Sequence, residues 1–161
     1  MNEVSDEVRA AWESVAQAHR EYVIRLNELV KAYRDDVVRF IELSFRAPMD
    51  AGIALAILPI LTERERQKLQ PLMLSLCSSG SYAHIAKPFI LALPRTWVME
   101  NIEREAESVL LENDFGDWCN ILDLFDQIDF DLARRLAVRL TRHEDNEIRD
   151  WGNDYLRDRG A

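Results

Sequence analysis

The sequence predicts an all-α fold, and three observations lead to this prediction. Apolar residues recur at spacings of three and four, as on one face of a helix, and not in the alternation typical of strands. Glycine and proline number only five each, and neither occurs before Pro48. Residues suited to begin a helix return with a period of about 33 residues, which is typical of tandem helical units. With 161 residues, the chain is most simply one domain.

The N-terminal region carries one continuous helical pattern over residues 5–46, which Arg46-Ala47-Pro48 is expected to end. Beyond Tyr33 the apolar stripe widens, so the second half is expected to be the first helix of the globular body. The first half is expected to pack along that body or against a second copy. We therefore divide the chain into a long N-terminal helix, 1–46, and helical hairpin repeats, 47–161. A heptad seam with His19 as its polar member runs along this region and consists of Val8, Trp12, Val15, His19, Tyr22, Leu26, Leu29 and Tyr33. The seam supports both possibilities for the first half. A homodimer contact is possible through Val8, Trp12, Val15, Tyr22, Leu26 and Leu29.

Two series of candidate N-cap residues follow the long helix. Their side-chain oxygens are able to accept the free backbone N–H groups of a first helical turn. Thr62 with Glu65 also matches a capping box. Because the two series interleave with a period near 33, they predict helix–turn–helix units that stack on one another. The candidates are Asp50, Ser81, Asp114 and Asp145 in one series, and Thr62, Thr96 and Asp129 in the other.

A short motif repeats at the same period. The stretch DWCN occupies 117–120 and DWGN occupies 150–153, with a bulky residue before a small one in each. The pair Ile85-Ala86 stands at the equivalent place one period earlier. We expect the small residue to let neighbouring helices approach closely, and we expect Trp118 and Trp151 to lie in the core between units.

The last unit, DFDLARRLAVRLTRHEDNEIRDWGNDYL over 129–156, resembles a HEAT repeat. Its turn matches the D-x-E-(V/I)-R pattern through Asp145, Glu147, Ile148 and Arg149. The resemblance implies a short right-handed α-solenoid of HEAT-like helical hairpins with a long N-terminal helix. First helices are then expected near 31–46, 62–77, 96–112 and 129–142, and second helices near 50–60, 81–93, 114–127 and 145–158. In proteins similar to this, the second helices line a concave face that binds partners.

The charge distribution indicates the kind of partner. The formal net charge is −9, and the segment 105–133 holds nine acidic residues and no basic one. Such a surface favours a basic protein partner and disfavours nucleic acid, whose binding requires basic residues. The alternative is a solvated helix face whose acids serve as N-caps. The residues predicted to bind a partner are Asp117, Asn120, Asp123, Glu147, Asp150 and Asp154, together with His84 and Lys87.

The histidines and cysteines do not match catalytic or metal-binding patterns. His19, His84 and His143 share no ligand spacing, and Cys77 and Cys119 suggest small buried residues rather than a zinc site. We therefore predict no enzyme activity, no cofactor and no metal. The N-terminus lacks the pattern of a secretory signal, and the longest apolar run is too short to cross a membrane, so we predict a cytoplasmic protein without membrane contact.

Three functional hypotheses follow from the sequence. The first is a non-enzymatic scaffold or adaptor that binds a basic protein, a sharper form of which is an immunity protein that neutralises a cognate bacterial toxin. The second is an enzyme on a HEAT-like scaffold, of the DNA glycosylase or lyase type. The third is a structural dimer built on the heptad of residues 8–33.

Overall fold

A computed structural model describes residues 5–44, 51–78, 82–110 and 115–160 of the chain. Over these residues the protein is helical and contains no strand, which confirms the all-α prediction. Three predicted N-caps, Asp50, Ser81 and Asp114, lie outside the described residues, as does the expected helix end at 46–48.

The N-terminal segment forms two helices, α1 (Asp6–Ala32) and α2 (Arg34–Ser44). The prediction of one unbroken helix over 5–46 is therefore wrong. The interruption is at Tyr33, whose backbone angles, φ −134° and ψ 42°, are not helical. Asp35 and Asp36 occupy the first turn of α2, where carboxylates stabilise the free amide groups of a new helix start.

The remaining helices follow the predicted order of first and second helices. The first helix expected at 62–77 is divided in two at Leu69. Pro71 explains the division, because proline lacks the N–H group that would continue the helical hydrogen bonds. The elements are α3 (Ala51–Ile57) with a 3₁₀ turn (Leu58–Ile60), α4 (Glu63–Lys68), α5 (Gln70–Ser78), α6 (Ala83–Leu91), α7 (Arg95–Leu110), α8 (Phe115–Ile128), α9 (Phe130–Leu140) and α10 (Asn146–Asp158).

Three predicted N-caps are confirmed. Thr62 and Glu65 form the expected capping box, with the Thr62 N–H donating to the Glu65 carboxylate at 2.7 Å. The Asp129 side chain accepts from two backbone N–H groups of α9, and Asp145 does the same for α10. The prediction for Thr96 is wrong: α7 begins at Arg95, so Thr96 lies inside its first turn.

The core is a single cluster of buried side chains that extends from Leu26 to Ile148. Helices α5 and α8 are central to it. Helix α5 packs against α6, α7 and α8, while α8 also contacts α9 and α10. One polar contact lies within this packing: the Trp97 indole N–H donates to the fully buried Gln70 side chain at 2.9 Å.

The two tryptophans of the repeated motif differ in burial. Trp118 on α8 is 4% exposed, as expected for a core residue. The imidazole ring of His143 and the guanidinium group of Arg139 lie against its indole. Trp151 on α10 is 40% exposed, so its prediction as a core residue is wrong. The Phe115 ring contacts the indole edge-on, while the packing of α10 against α8 and α9 leaves part of the indole in solvent.

Gly152 confirms the expectation about the small residue after the tryptophan. A Cβ atom at this position would lie 2.7 Å from the Leu140 Cβ and 2.9 Å from the Ala137 carbonyl oxygen. Such distances are shorter than atoms tolerate, so the close approach of α9 and α10 requires glycine here. Ala86, the equivalent small residue on α6, is fully buried.

Helix α1 lies largely outside the core. Its buried residues are Leu26 and Val30, both in its C-terminal half, which contacts α2. Of the seam residues, Trp12 is the most exposed, at 74%. The expectation that the first half of the helix packs along the body is therefore wrong. The other seam residues that remain exposed are Val8, Val15, His19, Tyr22, Leu29 and Tyr33.

Candidate protein-binding surface

The predicted partner-binding residues of α6 and α8 are brought together, but two of them bind each other. The Lys87 ammonium group forms an ion pair with the Asp123 carboxylate, which also accepts a hydrogen bond of 3.0 Å from the Gln127 amide. The Lys87 side chain is only 15% exposed, while that of Asp123 is 58% exposed. Part of the predicted negative charge is therefore neutralised within the chain. His84, one turn before Lys87, is exposed.

Asn120, another of the residues predicted to bind a partner, makes a contact within the chain. Its side-chain amide donates to the Ser78 carbonyl oxygen at 2.8 Å, which joins α8 to the end of α5. Asp117 is half-buried, whereas Asp123 is exposed. The difference arises because each step of three residues rotates about 60° around a helix, so three residues at this spacing cover a broad arc and not one line.

The predicted residues of α10 face solvent. Glu147, Asp150 and Asp154 are all exposed. Asp154 forms an ion pair of 2.9 Å with Arg157 one turn later, and Arg157 also lies 3.7 Å from the Asp158 carboxylate. This single arginine therefore lies between two carboxylates at the end of α10.

A pocket of about 260 Å³ lies between α8 and α10 and includes two of the predicted residues, Asp123 and Asp154. We call it the acidic pocket. Its lining combines four carboxylates with one basic group and two aromatic rings. The residues that line it are Leu122, Asp123, Asp126, Trp151, Asp154, Tyr155, Asp158 and Arg159.

Asp126 organises one wall of the acidic pocket and was not among the predicted site residues. It accepts a hydrogen bond of 2.5 Å from the Tyr155 hydroxyl and pairs with the Arg159 guanidinium. Burial, with the hydrogen bond to Asp126, raises the pKa of Tyr155 to about 12, so this hydroxyl keeps its proton. Two sequence signals could have identified the wall: Asp126 lies three residues after Asp123, and Arg159 lies one repeat period, 33 residues, after Asp126.

The acidic pocket has the chemistry of a site for a cationic side chain. Four carboxylates and one arginine line it, and Lys87 and Arg157 pair with lining carboxylates from outside, so four acids face three bases and the balance is negative by one charge. The half-exposed indole of Trp151 supplies an aromatic face, on which a guanidinium or ammonium group is attracted by the ring quadrupole. Carboxylates and an aromatic ring at one opening thus favour a lysine or arginine side chain over an anion.

A second set of charged residues, on α2, α4, α7 and α9, is different because its charges are paired between helices. Arg135 on α9 makes two hydrogen bonds to Glu103 on α7, at 2.9 and 3.0 Å, and Arg139 pairs with Glu107 one turn later. Arg34 on α2 makes the corresponding contact with Glu65 on α4, at 2.6 and 2.7 Å. Opposite charges alternate there, so this surface has no comparable preference for a cation.

Other candidate sites have no supporting geometry. Among the described residues, no three His, Cys, Asp or Glu side chains are placed to hold a metal ion. Burial raises the pKa of the Cys77 thiol to about 12, so the reactive thiolate form is suppressed. The His143 Nδ1 accepts the backbone N–H of Asp145 at 3.1 Å, within the turn before α10. In the part of the chain that is described, none of the helices is both long and apolar enough to span a bilayer.

Comparisons with known proteins give no match: no family model fits the chain, and neither a curated protein nor a solved structure is significantly similar to it.

Proposed function

We propose that this chain is a non-enzymatic protein-binding scaffold whose acidic pocket accepts a basic side chain of a protein partner. The observation that carries the proposal is the pocket itself, where four carboxylates surround a half-exposed tryptophan. Tryptophan and arginine are the residues most enriched among the energetic centres of protein interfaces. Trp151 would serve as the anchor, and the surrounding carboxylates would steer the basic partner towards it.

The scaffold we propose is a short right-handed α-solenoid of HEAT-like hairpins. The inter-helix ion pairs support the stacking of similar units, because several join residues about one period apart. Stacked repeats make such contacts mainly with their immediate neighbours. The pairs and their sequence separations are Arg34–Glu65 at 31, Glu103–Arg135 and Glu107–Arg139 at 32, Asp126–Arg159 at 33, Arg95–Asp129 at 34 and Lys87–Asp123 at 36.

The exposed acids beside the acidic pocket extend the proposed surface along α10. Glu147 and Asp150 precede Trp151, and Asp154 and Asp158 follow it. A basic segment laid along this helix would meet carboxylates on both sides of the indole. Nucleic acid is disfavoured there, since its phosphates would be repelled by the same groups. An immunity protein against a basic toxin is one specific form of this proposal.

The proposal is tested with a fluorescein-labelled peptide of alternating arginine and glycine, titrated at low salt. The test variant replaces three pocket carboxylates, Asp123→Asn, Asp154→Asn and Asp158→Asn. We expect it to lower the affinity about tenfold or more, since each exposed pair contributes up to about 1 kcal/mol. The single variant Trp151→Ala, which leaves the net charge unchanged, should also weaken binding of the peptide.

The matched control removes three exposed carboxylates elsewhere, through Glu13→Gln, Glu100→Gln and Asp131→Asn. It changes the net charge by the same amount and should retain most of the affinity. Equal losses in both triple variants would mean that the peptide responds to net charge alone, and would remove the acidic pocket from the proposal. Tighter binding of a single-stranded DNA oligonucleotide than of the peptide would contradict the proposal altogether.

A further inference from the structure

The N-terminal end of the molecule leaves a large apolar face without a partner among the described residues. Along α1 the exposed seam residues include Trp12 at 74% and Val15 at 63%. The same end exposes Phe40 and Leu43 on α2 and Ile53 on α3. In stacked helical proteins the terminal units normally present a polar outer face, because water meets them directly. An exposed apolar face of this kind is typical of a surface that another protein covers.

A pocket at this end shows where part of the cover would bind. It has a volume of about 360 Å³ and lies where α1, α2 and α3 meet. Apolar and aromatic side chains form nearly all of its lining, which consists of Leu29, Tyr33, Asp36, Val37, Phe40 and Ile57. A single large aromatic side chain is of a size to enter it.

The spacing of the seam residues identifies the cover. The eight positions from Val8 to Tyr33 alternate in steps of four and three, and this pattern reads the same in both directions about a centre between Arg20 and Glu21. A second α1 helix running antiparallel across that centre matches every seam position with another. The matched positions are Val8 with Tyr33, Trp12 with Leu29, Val15 with Leu26, and His19 with Tyr22; among them Leu26 is buried within its own chain.

We propose that the cover is a second copy of this chain, in a two-fold dimer with antiparallel α1 helices. Trp12 of each copy then lies opposite Leu29 of the other, at the mouth of the apolar pocket. The projecting first half of each α1 covers the apolar end of the other copy. Small residues beside the seam, Ala11, Ala16 and Ala18, allow the helices to approach closely.

Charge supports the antiparallel orientation over the parallel one. Residues 6–19 contain three acids and one base, whereas residues 20–32 contain three bases and two acids. Antiparallel helices place the negative half of one copy beside the positive half of the other. Parallel helices would place halves of the same sign together, which is unfavourable.

The area available is sufficient for a specific dimer. A fully buried aromatic side chain removes about 150–250 Å² from water, and the exposed seam residues, which include Trp12, Tyr22 and Tyr33, would together cover roughly 700 Å² per copy. Stable interfaces bury about 800 Å² per partner. Contacts of Phe40 and Leu43 with the second copy would supply the remainder.

Analytical ultracentrifugation of the full chain over a range of concentrations tests the dimer. We expect Trp12→Glu to raise the dissociation constant at least about thirtyfold, as for the loss of a central aromatic anchor. Phe130→Glu, at an apolar residue 43% exposed on α9, is the control and should leave the dimer intact. A wild-type chain that stays monomeric at high concentration, or equal effects of the two variants, would overturn the proposal. Circular dichroism checks that both variants fold.

Cysteine cross-linking tests the orientation in a Cys119→Ser background. A mixture of the single variants Val8→Cys and Tyr33→Cys should form a disulfide-linked dimer, while either variant alone should not. In the antiparallel pair, equivalent Val8 positions are separated by about 37 Å along the helix axis at 1.5 Å per residue. A disulfide between two copies of the Val8→Cys variant would show that the α1 helices are parallel. This result would overturn the proposed antiparallel register. The result is independent of peptide binding at the acidic pocket, so either proposal can fail alone.

Discussion

The two ends of the molecule use apolar residues in opposite ways. Residues 5–57 hold eleven of the fifteen large hydrophobic side chains that are exposed in the described chain, whereas residues 115–160 hold three. On α8 and α9 the apolar stripes are buried within the chain, and Gly152 brings α9 and α10 together. On α1 an equally regular stripe faces solvent. Periodicity therefore predicts that a helix has an apolar face, but it does not predict whether that face meets the same chain or another.

The largest difference in the free energy of unfolding is expected between substitutions of one aromatic residue at each end. Phe125→Ala removes a ring that is 2% exposed in the core of α8, and should lower the free energy of unfolding by about 3–5 kcal/mol. Trp12→Ala removes a larger ring that is mostly in water, and should change the stability of the monomer by less than about 0.5 kcal/mol. Urea denaturation at low protein concentration measures both. A large loss for Trp12→Ala in the monomer would show that α1 belongs to the core after all.

A second comparison uses one glycine from each end. Gly152→Ala forces a Cβ against the α9 backbone, and we expect a net loss of about 1–2 kcal/mol after the gain in helix propensity. Gly52→Ala on α3 meets no atom within 4 Å, so the same change should stabilise the protein by up to about 1 kcal/mol. Thermal denaturation of the two variants should give shifts of opposite sign. A stabilising shift for Gly152→Ala would mean that α9 and α10 separate readily, and a destabilising shift for Gly52→Ala would contradict the open surroundings of that residue.

A third comparison concerns the N-caps. Asp145→Ala removes the acceptor for the Glu147 and Ile148 N–H groups, and should cost about 1 kcal/mol because α10 unfolds together with the core. Ser5→Ala removes the corresponding acceptor from α1, where Val8 N–H lies 3.4 Å from the hydroxyl. Global stability should hardly change, since the first turns of an exposed helix open locally. Hydrogen exchange of α1 amides should report the lost cap instead.

The smallest expected effect depends on pH and concerns the junction between the two ends. The hydrogen bonds from Arg34 lower the pKa of Glu65 from 4.5 to about 2, and the Thr62 bonds act in the same direction. Ionised Glu65 therefore makes its full contribution to the free energy of unfolding above about pH 4.5. This contribution is lost as the pH falls towards 2. Glu65→Gln should cost up to about 1 kcal/mol at pH 7 and progressively less below pH 4.5.

Denaturation curves between pH 3 and 7 measure this difference. Glu63→Gln, which makes the same charge change on the same helix, is the control for a general effect of charge. The free energies of unfolding of wild type and Glu65→Gln should approach each other as the pH falls. If their difference stayed constant down to pH 3, the assigned role of the Arg34–Glu65 contact would be contradicted.

Local interactions account for what the sequence predicted correctly. Thr62, Asp129 and Asp145 were identified as caps because an N-cap interacts with residues two or three places further along. Trp118 and Trp151 share the same local motif but differ in burial, since burial depends on which other helices pack against each tryptophan. The pairing of Lys87 with Asp123 and of Asp126 with Arg159 joins separate helices, so local patterns did not indicate which charges remain available.

The interruption at Tyr33 gives α1 the geometry of a lever. Trp12 lies about 30 Å along the helix from Tyr33 at 1.5 Å per residue. A reorientation of about 10° at that one residue would move the indole by about 5 Å, while α2 would remain held to α4 by Arg34 and Glu65. The backbone angles of a single tyrosine thus set the reach of the whole N-terminal arm.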